Sequence, residues 1–304
     1  MNWTYARAML AALLIASPLA AQRDDDDYRS RIDTTVNFDR AGTVDLSLVS
    51  GEIVVSSWDK NSVRVKATSE RGVLRLDASS LRLTLTVRSE HGNLGDTRYE
   101  VTIPNGARLI ARSVSGDIRS RGGSEVEARS VSGDVEVTDV SGRATLESVS
   151  GTVRGARIAG GLRANAVSGD LDMSDITGDV DVQTVSGEIG LGSVTSSYVS
   201  TQTVSGDVTF TGKIDPKGRY DFHAHSGDVR ITLPPTLPGA SFSVETFSGD
   251  VESACKMTLT PNDVGRRHGQ HIEFTIGSGG AHFTIQTFSG DVRIEGCAAS
   301  KKEE

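Results

Sequence analysis

The sequence predicts an all-β solenoid, in which short β-coils of 18 to 22 residues stack on an N-terminal β-rich cap. Three observations carry this prediction. A Ser-Gly-Asp motif recurs at a nearly constant period, and apolar residues alternate between its copies. Aromatic residues make up only 5% of the chain, against 33 glycines. A large core of rings is therefore out of reach, and thin layers of Val, Leu, Ile and Ala remain.

At the N-terminus, Arg7 precedes an apolar or small-residue run from Ala8 to Ala21, broken only by Ser17. The run falls short of the roughly 20 apolar residues a membrane span needs. It ends in small residues, the layout of a secretory signal peptide over 1–21 cleaved after Ala21. A retained anchor is the alternative; no Cys follows the run, which argues against a lipoprotein. The expected location is outside the cytoplasm: periplasm, cell surface or medium. Residues 22–30, with Asp24 to Asp27, read as a solvated acidic linker.

Residues 31–110 read as a β-rich cap, with candidate strands at Thr43 to Leu48, Glu52 to Ser56, Ser62 to Ala67, Leu81 to Val87 and Arg98 to Ile103. Val44, Leu46 and Leu48 alternate, as do Leu81, Leu83, Leu85 and Val87, so each strand has one buried face. A cap is expected because a bare solenoid end invites edge-to-edge aggregation.

Residues 111–298 carry the repeat. Its glycines are Gly116, Gly133, Gly151, Gly169, Gly187, Gly206, Gly227, Gly249 and Gly290, separated by 17, 18, 18, 18, 19, 21, 22 and 41 residues. Weaker copies at Gly142, Gly160 and Gly178 fall nine residues after a strong glycine. Each half-unit supplies apolar residues two apart, which share one strand face, followed by a corner where Gly gives the backbone freedom to turn. Val135, Val137 and Val140 fill one half-unit; Ala144, Leu146 and Val149 fill the next, as do Leu171, Met173 and Ile176, then Val180, Val182 and Val185. A lone coil cannot bury its apolar face, whereas a stack makes a continuous core. An antiparallel sandwich would not require identical corners at a fixed period. The step of 41 reads as one coil carrying a protruding insertion at 255–271, with turn-favouring Pro261, Asn262 and Asp263. Residues 299–304 read as a disordered tail.

Cys255 and Cys297 lie six and seven residues past their glycines, on rungs expected to be neighbours about 4.8 Å apart. That separation suits a disulfide, and export permits oxidation; two buried thiols are the alternative.

The segments LVSGEIVVSSWDKNSVRVKA at 48–67 and YEVTIPNGARLIARSVSGDI at 99–118, together with the SGD(V/I) ladder, resemble a bacterial putative-adhesin family of unknown function with β-strand repeats. The resemblance implies a right-handed single-stranded β-helix and a cell-envelope or extracellular role. It brings no catalytic residues.

The most visible candidate site is the acidic corner ladder of Asp117, Asp134, Asp170, Asp207, Asp228, Asp250 and Asp291, with Glu188 on one rung and Thr152 on another. Stacked carboxylates suit Ca²⁺, but Ca²⁺-binding nonapeptide repeats need Gly-Gly-x-Gly-x-Asp. Asp directly after a single Gly instead fits a turn residue that satisfies corner backbone groups. No cofactor or metal site is expected. His223 and His225 share a strand face and His268 and His271 sit in the insertion, yet zinc needs three or four converging ligands; His225 occupies the register of Phe247 and Phe288 and reads as a core imidazole. Trp58, near Asp59 and Lys60, reads as cap core rather than a sugar contact. The regular ladder offers no distinctive carboxylate pair for glycoside chemistry, and no nucleophile elbow appears. The formal net charge of −8, without a basic cluster, argues against nucleic acid. The sequence therefore predicts a non-catalytic envelope protein that binds another envelope protein or a glycan, through outward positions such as Thr201, Gln202 and Thr203. A carbohydrate-active enzyme on the same scaffold is the alternative.

Overall fold

The computed structural model describes residues 30–89, 95–237, 239–259 and 270–296. The expected signal peptide, nearly all of the acidic linker, the tail, Cys297, His268 and the middle of the insertion lie outside them. Among the described residues, 23 strands form one mixed sheet, there is no helix, and so no helix is long and apolar enough to cross a membrane.

The coils stack as the repeat demands. Ahead of each glycine, Ala144 pairs in parallel with Val126 on one side and Leu162 on the other, Leu162 with Val180, and Val180 with Val199. Behind each glycine, Val135, Val153, Leu171, Ile189 and Val208 form a second parallel column. The corners align along one edge: the N–H groups of Gly169, Gly187 and Gly206 each donate to a serine carbonyl of the next rung at 3.0 Å. Gly187 adopts φ +149°, and a Cβ there would run into the Gly169 carbonyl oxygen, so the corner admits only Gly.

The two corners of a coil differ, and the difference decides which side chains are buried. At the weaker corner Asp139, Arg157, Asp175 and Ser193 take left-handed backbone, φ 54–62°. That extra residue breaks the strand alternation and turns Val140, Ile158, Ile176 and Val194 inward. At the Ser-Gly-Asp corner no such residue intervenes. Strict alternation points Ser130, Ser148 and Thr184 inward and the following Val131, Val149 and Val185 outward. Val149 and Val185 therefore do not fill the core as their half-units predicted.

Stacking begins within the segment read as a cap. Strand Thr43–Trp58 pairs in parallel with Arg108–Arg121, placing Gly51 beside Gly116, and on its other side with Arg82–Arg88 and Thr97–Pro104. Strands Ser30–Asn37, Ser62–Ser69 and Val73–Ala78 add antiparallel and close that end. The opposite end departs from chain order. Gly227 lies next to Gly290, and Gly290 next to Gly249, so the last coil in sequence sits between the two before it. Strand Gln270–Gly277, which begins at the end of the expected insertion and runs past it, returns antiparallel along the outside of Gly239–Ser248 and pairs with Thr258–Leu259.

The core follows coil length. The 18-residue coils hold aliphatic layers, while the longer C-terminal coils admit rings. Phe283 stacks on Tyr220 at 4.6 Å and on Phe242 at 4.5 Å, and Phe242 stacks on Phe274 at 4.9 Å.

Candidate binding face

The outward valines form a column. In spatial order Val49, Val114, Val131, Val149, Val167, Val185, Val204, His225, Phe288 and Phe247 project from successive rungs, and the apolar members are 40–53% exposed. An exposed apolar surface that runs the length of a molecule marks an interaction site. The column ends in a ring stack, with Phe288 between His225 (5.0 Å, 14°) and Phe247 (4.8 Å, 2°). His225 is thus exposed and not a core imidazole, because its register points outward like that of both phenylalanines. Beside the stack lies a hollow of about 440 Å³ lined by His223, Glu245, His271 and Gln286.

The small inward residues bind rung to rung. The Ser130, Ser148, Thr184 and Thr287 hydroxyls donate to the carbonyls of Gly116, Gly133, Gly169 and Gly227 at 3.1–3.4 Å. Thr201 and Thr203 belong to this inward set: they are buried, not outward contacts as expected, and only Gln202 between them faces solvent. Their hydroxyls have no hydrogen-bond partner among the described residues.

The corner carboxylates are engaged by the backbone. Asp117 Oδ1 accepts the Asp134 N–H at 3.0 Å, Asp134 that of Thr152 at 2.9 Å, Asp170 that of Glu188 at 3.0 Å and Asp207 that of Asp228 at 2.8 Å. The series continues in spatial order, from Asp228 to Asp291 and from Asp291 to Asp250. The carboxylates thus satisfy corner backbone groups, and the N–H groups they accept belong to the next rung. No group of three or more His, Cys, Asp or Glu side chains among the described residues is placed to hold a metal ion.

Other polar features are used locally. Trp58 is half-buried, its indole N–H donating to Ser62 O at 2.7 Å, with Lys60 Nζ 4.7 Å from the ring centroid. A hollow at the N-terminal end is lined by Glu52, Glu70 and Asp96. There Glu52 pairs with Arg98 and Arg119, Glu70 accepts the Asp96 N–H, and Asp96 accepts from Ser50. The Arg157 guanidinium, 2.6 Å from Asp139, holds that carboxyl below its usual range. Cys255 is buried on the Gly249 rung; Cys297 lies outside the described residues.

These features define a class: a β-solenoid with backbone-engaged corners and an outward apolar column. The chain belongs to the Toastrack DUF4097 family, a family of unknown function whose model matches residues 80–295. Similar solved structures include a putative adhesin from Bacteroides fragilis (12% identity, 87% of this chain and 97% of that one, TM-score 0.46). Others are a putative adhesin (7%, 87% and 97%, 0.37) and a putative lipid binding protein (15%, 88% and 95%, 0.37), both from Parabacteroides distasonis. None of the curated proteins matches the chain.

Proposed function

We propose that the chain is an exported, non-catalytic binding protein of the cell envelope, with the apolar column as its contact surface. The single observation that carries this reading is the run of ten outward side chains, one per rung, ending in the Phe247–Phe288–His225 stack. A monomer that needed only solubility would place polar residues there. A protein partner fits better than a glycan. Both faces of Phe288 are already covered by neighbouring rings, which leaves edges where a sugar would need a free face. The right-handed, single-stranded path implied by the family likeness belongs to the same proposal.

The test uses beads coated with the purified chain and intact bacterial cells. Wild-type beads are expected to be retained, and Val167→Asp beads to be released. Equal retention of the two would refute the assignment of the face.

A further inference from the structure

We propose that the partner of this face is a second copy of the chain, docked face to face with the two stacks antiparallel. The inference rests on the binding-face reading above and specifies its occupant.

Side chains that project once per rung repeat at about 4.8 Å, and a second solenoid of the same period can match them along the whole column. The order of side chains along the column suits reversal. A two-fold axis parallel to the strands, between the Val167 and Val185 rungs, sets Val167 against the partner's Val185. It also sets Val49 against Phe247 and Val114 against Phe288. Each bulky ring then meets a small valine, and the gap between sheets stays even. Had the rings been scattered, reversal would have set ring on ring in some places and left voids in others.

A neighbouring outward column lies two residues before each valine. The same axis sets Arg112 against Gln286, Glu147 against Gln202 and Asn165 against Gln183. No two like charges meet in these pairs. Arg129, already held by Glu127 and Glu147 at 3.3 Å, meets His223.

Nine steps of about 4.8 Å by six residues of about 3.3 Å give a face of about 43 by 20 Å, or about 860 Å² per copy. A stable interface buries about 800 Å² per partner. The corner carboxylates border this face along one edge, and the axis brings both acidic edges to the same rim. Salt screens that repulsion, so it strengthens this association, whereas salt would weaken binding of a cationic partner.

The test is sedimentation equilibrium of the purified full chain at about 0.05 and about 0.5 M salt, conditions that differ several-fold in screening length. A dimer is expected, tightening at least several-fold at high salt. Val167→Asp puts two added carboxylates beside the axis and is expected to weaken the dimer by more than a hundredfold, with the melting temperature unchanged at concentrations low enough for wild type to be monomeric, because the side chain points outward. For register, chains carrying Arg112→Cys and Gln286→Cys are mixed with a short bis-maleimide. Cross-linking only in the mixture supports the antiparallel dimer; cross-linking of either variant alone overturns it. A chain monomeric at every concentration, a dimer indifferent to Val167→Asp, or one weakened by salt would each also overturn it. If the chain is monomeric but Val167→Asp beads still lose cells, the binding face stands and only the second copy falls.

Discussion

Two threonines on neighbouring rungs should respond to the same substitution with opposite signs. Thr184 and Thr203 occupy equivalent inward positions, and Thr201 lies two residues before Thr203 on the same buried side. The Thr184 hydroxyl donates to Gly169 O at 3.4 Å, whereas the hydroxyls of Thr201 and Thr203 have no partner among the described residues. Valine has nearly the same shape, so Thr→Val exchanges a hydroxyl for a methyl with little change in packing. At Thr184 the exchange removes a hydrogen bond with a net contribution of about 1 kcal/mol, and Thr184→Val should destabilise by about that amount. At Thr201, 0% exposed, an unpaired hydroxyl costs about 1–3 kcal/mol of desolvation. Thr201→Val should therefore stabilise by about 1–2 kcal/mol, with Thr203→Val following in the same direction. Guanidinium unfolding reads both: the midpoint should rise for Thr201→Val and fall for Thr184→Val, with an unchanged slope. A midpoint for Thr201→Val below wild type would refute the reasoning, since it would mean that the hydroxyl has a partner in solution.

The remaining predictions concern protons, sulfur and metal. Burial raises the phenols of Tyr99 and Tyr220 above their usual range, and their hydroxyls donate to Ser47 O and Ser196 O. The folded state thus holds those protons more tightly than the unfolded chain. Stability should stay intact below about pH 10 and drain away as pH rises beyond it, and Tyr220→Phe should flatten that loss in an alkaline denaturation series. We expect Cys255 and Cys297 to be joined by a disulfide; alkylation of both thiols without reductant, read by mass, would rule the bridge out. EDTA should leave the melting temperature unchanged, because the corner carboxylates already accept rung-to-rung N–H bonds; a fall of several degrees would revive the Ca²⁺ reading.

The fold was largely legible because its corners are written in one short motif. Gly116, Gly133, Gly151, Gly169 and Gly187 stack along one edge at the intervals the sequence shows. What escaped was the inequality of the two half-units. Val140 and Val149 sit in similar local strings, yet Asp139 adopts left-handed backbone and sends Val140 inward, while Ser148 keeps the alternation and sends Val149 out. A signal was available: Ser, Thr or Ala stands ahead of the valine in each Ser-Gly-Asp copy, at the inward position next to a tight corner. Reading Val149 and Val185 as core hides the outward apolar column, and neglect of the strict alternation misplaces His225, Thr201 and Thr203. The order of the last two rungs was illegible for another reason. TFSGDV occurs at both 246 and 287, so either copy presents the same inward residues and no local pattern distinguishes the inner rung from the outer.

That swapped order bears on how the chain can be trimmed. In an ordinary solenoid each repeat touches only its neighbours in sequence, and removing the final one exposes a fresh but intact end. Here residues 281–295 are an interior slab, so a chain stopped at 280 would lose a layer from the middle and leave residues 239–253 with nothing beneath them. Thr43–Trp58 creates the same dependence at the other end. A solenoid bolted from within at both ends can be neither shortened nor extended by one repeat at those ends, which leaves the plain coils between residues 125 and 205 as the place where a whole coil could be added or removed.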